Sequence, residues 1–387
     1  MSARDLFCQP RRARHGAALT LVFASVLVAG AATGWFGETV RRTPDAGAAT
    51  PAGHSEAVTE AAERAMADGK SPMEAAERAV SRSGDRWSAV YSQGEYQEFQ
   101  EALDGRYTGV GLSARRERDG RIEVTQVQPG SPAAAAGIRG GDRLRSVDGK
   151  DVDGRPVTEV VSLLRGDSDG AAAGTRVRLG LERGTHLWSE ELRRARLSTD
   201  SVTVRRLAGG VTLIRIAAFT KGSGDLVRDA VDHAPGRGGI VLDLRGNSGG
   251  LVTEAVTAAS AFLDGGLVAT YDVDGAQRAL HADPGGDTSR PLVALVDGGT
   301  MSAAELLTGA LQDRGRAVVV GTRTFGKGSI QMPSRLPDGS VAELTVGHYR
   351  TPSGHGVDGR GITPDLEAGD EVLERAETVL SGLGDAS

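Results

Sequence analysis

Residues 238–250 read GGIVLDLRGNSGG. The run from Ile240 to Leu244 is nearly all apolar, as in a strand buried on both faces, and it ends in turn-forming Gly, Asn and Ser. The pattern returns twice: PLVALVDG (291–298) enters GTMSAAE, and RAVVVG (316–321) enters TRTFGKGS. An earlier strand pattern, VTLIRIAAF, occupies 211–219, and helical patterns fill the gaps: SGDLVRDAVDHA, LVTEAVTAASAFLDG and SAAELLTGALQDRG. Such alternation predicts an α/β core with a largely parallel sheet. Ligands of such sheets bind beyond the C-terminal strand ends. All three ends are rich in Gly and Ser, and one holds Lys327.

Working outward, the 387-residue chain is long enough for two or three domains, and 39% hydrophobic residues mark it as globular. A net charge of -6 gives no footing for nucleic acid. With one cysteine, Cys8, no disulfide can form within the chain. No His/Cys/Glu cluster has metal-ligand spacing, so neither metal nor cofactor is expected.

Residues 1–16 form a basic segment with Arg11, Arg12 and Arg14, which would stay cytoplasmic. Residues 17–36 are uncharged, about enough to cross a bilayer once. A single-pass membrane anchor with the bulk of the chain extracytoplasmic is expected. The alternative is a secreted protein with a cleaved signal peptide, Ala29-Gly30-Ala31 being the cleavage site. A linker follows at 37–55, then a helical region at 56–106, where Ser71-Pro72 supplies an N-cap and a first helical residue. From Tyr107 the period changes to two, with hairpin signals at Asp119-Gly120 and Asp148-Gly149 and two short helices, giving a module at 107–184. The α/β core occupies 185–370, including a hairpin around a Pro-Asp-Gly turn, and a helix closes the chain at 371–387.

Ser302 starts a helix behind a buried strand and a Gly-Gly turn. It reads as an N-cap, with Glu305 completing a capping box, or as a nucleophile backed by the helix dipole and free N–H groups. A hydroxyl that caps its own helix is less free to attack. A serine nucleophile needs a base, and no histidine lies in the three loops. Lys327 does, on the strand end next in sequence. The chain has four lysines (Lys70, Lys150, Lys221, Lys327) and otherwise uses arginine. A buried lysine can lose its proton near neutral pH, whereas arginine cannot. The competing motif is Gly246-Asn247-Ser248-Gly249-Gly250, a G-x-S-x-G elbow that could draw on Asp297 and His348 as an esterase triad.

Four segments together resemble the C-terminal processing peptidases, or tail-specific proteases: DLRGNSGG, DGGTMSAAE, GTRTFGKGSIQ and TPSGHGVDGRGITPD. The resemblance implies a crotonase- or Clp-protease-like core with a PDZ domain at 107–184. It assigns Ser302 as nucleophile, Lys327 as general base, Gln331 as the residue orienting the amine, and Glu305 as a supporting acid. The backbone N–H groups of Ala303 and Gly249 would form the oxyanion hole. A substrate carboxylate would be received at Thr108, Gly109, Val110 and Gly111, with Leu112 shaping the side-chain pocket. Arg165 would couple the PDZ domain to the core. The glycine-rich insertion at 166–174 departs from the family pattern. The expected function is a serine endopeptidase acting on proteins with accessible apolar C-termini, and a homodimer is compatible with it. The alternatives are a catalytically silent PDZ scaffold and an esterase using Ser248.

Overall fold

The fold is taken from a computed structural model, which describes residues 51–117, 119–166, 173–235, 238–273, 276–369 and 371–384. The expected anchor at 17–36 and the alternative cleavage site lie outside the described residues. Among the described residues no helix is long and apolar enough to cross a membrane. The chain forms two compact units, one over 106–198 and one combining the preceding helical region with 199–384.

In the first unit, strands Leu112–Arg116 and Ile122–Val127 pair antiparallel across the Asp119-Gly120 turn. Strands Arg143–Val147 and Lys150–Asp151 pair across Asp148-Gly149, where both turn residues have positive φ (48° and 76°). Asp and Gly are suited to that backbone. Ser131 caps the short helix Pro132–Ala135, and helix Val157–Arg165 follows the expected amphipathic stretch. Apolar residues at alternate strand positions, Ile122, Val124, Leu144, Val147, Val177, Leu179 and Leu181, make one buried core. The sheet of this unit continues past residue 184, where the sequence places the end of the module. Gly184 sits in the turn of a hairpin, so strand His186–Arg193 pairs with Arg176–Arg183 and completes the sheet. Strand Ala195–Ser198 pairs with Arg106–Gly109.

In the second unit, the three apolar runs are strands Ile240–Asp243, Leu292–Val296 and Val318–Gly321, parallel and adjacent in that order. Thr212–Ile216 lies parallel on one side, with Val202–Arg206 antiparallel beyond it, and Leu366–Glu367 closes the other edge. Residues 292–296 are all buried, which explains the absence of alternation. Helices Ser223–Asp232, Val252–Ser260 and Ala303–Asp313 cover one face, and helix Val372–Gly384 packs on the other through Val372, Ala376 and Leu380. A second sheet carries the hairpin Ser329–Arg335/Val341–Arg350 and a hairpin that the sequence reading missed, Leu267–Val273/Ala276–His281. The 56–106 region is not wholly helical. Ala89–Tyr91, rich in β-prone side chains, forms an edge strand antiparallel to Val341–Arg350, with Tyr91 opposite Val341.

Candidate active site

Three strand ends meet in one laced cluster. The Thr300 hydroxyl donates to the Leu244 carbonyl at 3.0 Å, and the Met301 N–H to the Asn247 carbonyl at 2.8 Å. Asp297 accepts from the N–H groups of Gly246 and Gly299, both at 2.9 Å. The Phe325 N–H donates to the Thr300 carbonyl at 3.0 Å, bringing in the lysine loop. Below the first loop, Asp243 is buried and takes Arg245 through two bonds of 2.8 Å and Arg215 at 3.0 Å. Burial opposes its charge, but the Arg245 hydrogen bonds and both guanidiniums outweigh it and hold the carboxyl below its usual range. The D-L-R triplet thus anchors the loop that follows.

Ser302 is one of two non-glycine residues with positive φ among the described residues (53°, ψ -117°). That conformation is costly for a side chain and persists only where its surroundings enforce it. Here the enforcement is visible. Ser302 and Glu305 stand in capping-box relation, yet the serine hydroxyl makes no cap hydrogen bond. The Glu305 carboxylate does the capping, taking the Ser302 N–H at 2.9 Å. Glu305 is fully buried and also accepts from the Thr324 hydroxyl (2.5 Å), the Gly326 N–H (2.7 Å) and the Lys327 N–H (2.8 Å). One carboxylate therefore ties the backbone of Ser302 to that of Lys327. Its burial pushes the carboxyl up, and the four hydrogen bonds only partly offset that.

Tyr349 makes the same link from the other side. Its buried hydroxyl lies 2.9 Å from the Ser302 carbonyl and 3.2 Å from the Lys327 carbonyl. Burial raises it well above the ordinary tyrosine value, with Glu305 and Asp358 adding to the effect, so it remains a neutral donor.

The Lys327 amine is half-buried and lies 4.9 Å from the centre of the Trp87 ring. Desolvation lowers its pKa, against the attraction of Glu343, Asp85 and Glu305. Gln331 is on the adjoining strand, but its amide nitrogen donates to the hydroxyls of Ser329 (2.9 Å) and Thr345 (3.1 Å) rather than meeting the amine. Gly249 packs directly under the serine: a Cβ there would come within 2.9 Å of Ser302 Cβ and 3.2 Å of the Ala303 nitrogen. Its φ of 100° also favours glycine. The Gly249 N–H is engaged by Asn247 Oδ1 at 2.8 Å, so in this state Gly249 contributes close approach rather than a free donor.

The esterase constellation is not assembled. Asp297 spends its carboxylate on loop backbone, and the half-exposed His348 faces Asp358 at 3.8 Å. In the first unit, Thr108 and Gly109 lie opposite Arg196 and Ala195 in a strand pair. Val110 is buried, and its carbonyl accepts from the Ala133 N–H at 2.9 Å. Gly111 (φ 80°) packs on Ser131, and Leu112 opens the next strand. The Arg165 guanidinium lies over the Tyr107 ring at 5.8 Å. Sequence reasoning missed Tyr349, Thr324 and Trp87. Thr324 lies inside a quoted motif and Tyr349 two residues before another, neither with a pattern to mark it. Trp87 is one of only three tryptophans, set at the break between a helical and a strand pattern.

Among the described residues no group of His, Cys, Asp and Glu could hold a metal ion. The pattern of Peptidase family S41 matches residues 210–368, and that of the PDZ domain matches residues 123–183. The carboxy-terminal processing protease CtpA of Bacillus subtilis is 32% identical over 289 residues, covering 73% of this chain and 61% of that protein. A probable CtpA-like serine protease of Staphylococcus aureus (strain COL) is 35% identical over 292 residues, covering 73% of this chain and 57% of that protein. The chain thus spans about three fifths of the length of these curated relatives. Among solved structures, the photosystem II D1 C-terminal processing protease is 30% identical with a TM-score of 0.52, covering 80% of this chain and 86% of that one. A putative S41 protease from Bacteroides fragilis, at 18% identity and a TM-score of 0.54, shares the fold over 81% of this chain and 91% of its own. The S41 match takes in the three laced loops, the buried Glu305 and the closing 351–365 segment, and with these relatives it establishes that the chain belongs to peptidase family S41 and carries a PDZ domain.

Proposed function

We propose that the chain is a serine endopeptidase that cuts proteins presented through their C-terminal tails, with Ser302 as nucleophile and Lys327 as general base. The observation that carries this reading is the Glu305 carboxylate, bonded at once to the Ser302 N–H and the Lys327 N–H. It holds a strained serine and a desolvated lysine on adjoining loops.

In the proposed reaction the neutral Lys327 amine takes the Ser302 hydroxyl proton as Oγ attacks the scissile carbonyl carbon. The oxyanion forms at the start of helix Ala303–Asp313, where the Ala303 N–H and the helix dipole favour negative charge. Collapse breaks the C–N bond, the leaving amine receives the proton from Lys327, and water hydrolyses the acyl-enzyme with the lysine again as base. Gln331 Oε1 would receive the amine, its nitrogen being held by Ser329 and Thr345. The PDZ domain would capture a substrate's C-terminal residues by strand addition. The uncharged run at 17–36 supports a further part of the proposal: membrane attachment with the catalytic unit outside the cytoplasm.

The test is cleavage of an unstructured reporter ending in a short apolar tail, against one ending in charged residues, with Ser302→Ala as blank. Tail-dependent cutting absent from the blank and from Lys327→Arg is expected. Undiminished cutting by Lys327→Arg would refute the dyad, and tail binding without cutting would favour a scaffold.

A further inference from the structure

Lys327 must present an amine that can be neutral, and two of its neighbours, Asp85 and Trp87, come from a part of the chain outside the S41-matched residues. The turn at residues 84–88 leaves helix Pro72–Ser83 and enters strand Ala89–Tyr91, whose pairing with Val341–Arg350 docks it beside the lysine loop. The turn is pinned internally. Asp85 accepts from the Trp87 N–H at 2.9 Å and from the Ser88 hydroxyl at 2.5 Å. Ser88 in turn accepts from the Thr345 N–H at 3.0 Å, and the Thr345 hydroxyl is the one that holds Gln331. Trp87 is thereby fixed over the lysine, its ring centre 4.9 Å from Nζ, and Phe325 meets its edge at 5.8 Å.

We propose that Trp87 is a positioning residue for the general base: its indole forms the wall that keeps water from the Lys327 amine and fixes where the amine sits. This rests on the reading of Lys327 as base.

Two effects of the ring oppose each other. A cation over an indole face is stabilised by about 0.5–2 kcal/mol, which favours the ammonium. Excluding water disfavours the ammonium by up to several pKa units at full burial. The proposal is that the second is the larger: the pinned turn sets the ring 4.9 Å from the amine as a wall, and burial is the leading influence on Lys327. The charged groups acting on it are Glu343 on the paired strand, Asp85 on the turn and Glu305 at the helix start; Arg86, also on the turn, lies over the Trp87 ring at 4.7 Å. The neutral Tyr349 hydroxyl lies behind the Lys327 carbonyl. Removing the indole admits water and leaves the three carboxylates in place, so the amine becomes harder to deprotonate.

The chain's four lysines make the test direct. Trace labelling with acetic anhydride from pH 6 to 11, read by peptide mass spectrometry, gives a titration curve for Lys327 with Lys70, Lys150 and Lys221 as internal references. Trp87→Ala is expected to raise the Lys327 midpoint by about one unit, and Trp87→Phe, which keeps an apolar ring, by a few tenths. Ser88→Ala, which loosens the turn but keeps the indole, should give an intermediate rise and serves if Trp87→Ala does not fold. An unmoved or lowered midpoint in folded Trp87→Ala, or in Ser88→Ala where that substitutes for it, overturns the proposal. The readout needs no substrate, so it is independent of the dyad reading, which fails separately if Lys327→Arg still cuts the tailed reporter.

Discussion

Glu305→Gln isolates what the buried carboxylate does, because it keeps the shape and removes one acceptor oxygen and the charge. Oε2 holds the N–H groups of Ser302 and Lys327, and Oε1 holds the Thr324 hydroxyl and the Gly326 N–H. The amide has a preferred orientation. With its oxygen at the Oε2 position it keeps the N–H groups of Ser302 and Lys327, and its NH2 faces a hydroxyl that can rotate and the Gly326 N–H, which cannot. One buried donor is then orphaned at about 1–3 kcal/mol, and two charge-assisted bonds become neutral ones at about 1 kcal/mol each. Relief of the buried charge offsets part of this, leaving a net loss of about 2–4 kcal/mol. Urea unfolding at pH 7 measures it. The pH dependence adds a signature. Because the folded carboxyl lies above its ordinary value, the native state keeps a proton that the unfolded state has released. The wild type therefore loses stability as pH rises through that window above the ordinary value of 4.5, whereas the glutamine variant lacks this slope. A loss under about 1 kcal/mol with unchanged labelling of Ser302 by a serine-directed probe would refute the claim that Glu305 ties the two residues together.

Three further outcomes follow from the same geometry. Gly249→Ala should fold with a modest loss, about 1–2 kcal/mol for a Cβ at positive φ, but cut serine-probe labelling by about 100-fold, since its methyl meets Ser302 Cβ at 2.9 Å. Tyr349→Phe strips a donor from the carbonyls of Ser302 and Lys327 and should cost about 1–3 kcal/mol in urea unfolding, with slower labelling at every pH, because the neutral tyrosine adds no titration of its own. At the far edge of the core, burial works against Asp287, but the N–H groups of Ser289 and Arg290, the Ser289 hydroxyl and the Arg290 guanidinium pull its pKa to about 2. Its contribution is complete above the ordinary 3.8 and is lost as pH falls toward 2, so Asp287→Asn should remove about 1 kcal/mol of stability at pH 6 and little at pH 2.

Much of the core was legible because its signals are local. A five-residue apolar run such as 292–296 states its own burial, and Gly-rich ends such as 246–250 state where backbone must approach backbone. What stayed hidden depends on contacts made far along the chain. Nothing around Ala89–Tyr91 shows that it will pair with a strand some 250 residues later. The pairing of His186–Arg193 with Arg176–Arg183 was not legible because Gly184 reads equally as a hairpin turn and as a linker. Trp87 carries no motif, and its meaning appears only when the Ala89–Tyr91 pairing sets it over Lys327.

The two sequence readings of Ser302, helix cap and proposed nucleophile, are compatible within one arrangement. Capping needs an acceptor for the first N–H groups of the helix, and a serine hydroxyl in extended backbone geometry would supply it. At φ 53° the Ser302 hydroxyl makes no cap bond, and the Glu305 carboxylate takes the Ser302 N–H instead. The carboxylate that serves is fully buried, and its burial is tolerable because three more donors converge on it, two of them from the Gly326-Lys327 backbone. Freeing the hydroxyl from its helix and fixing the lysine loop beside it are therefore a single structural requirement. A change that restored ordinary capping geometry at Ser302 would loosen Lys327 as well.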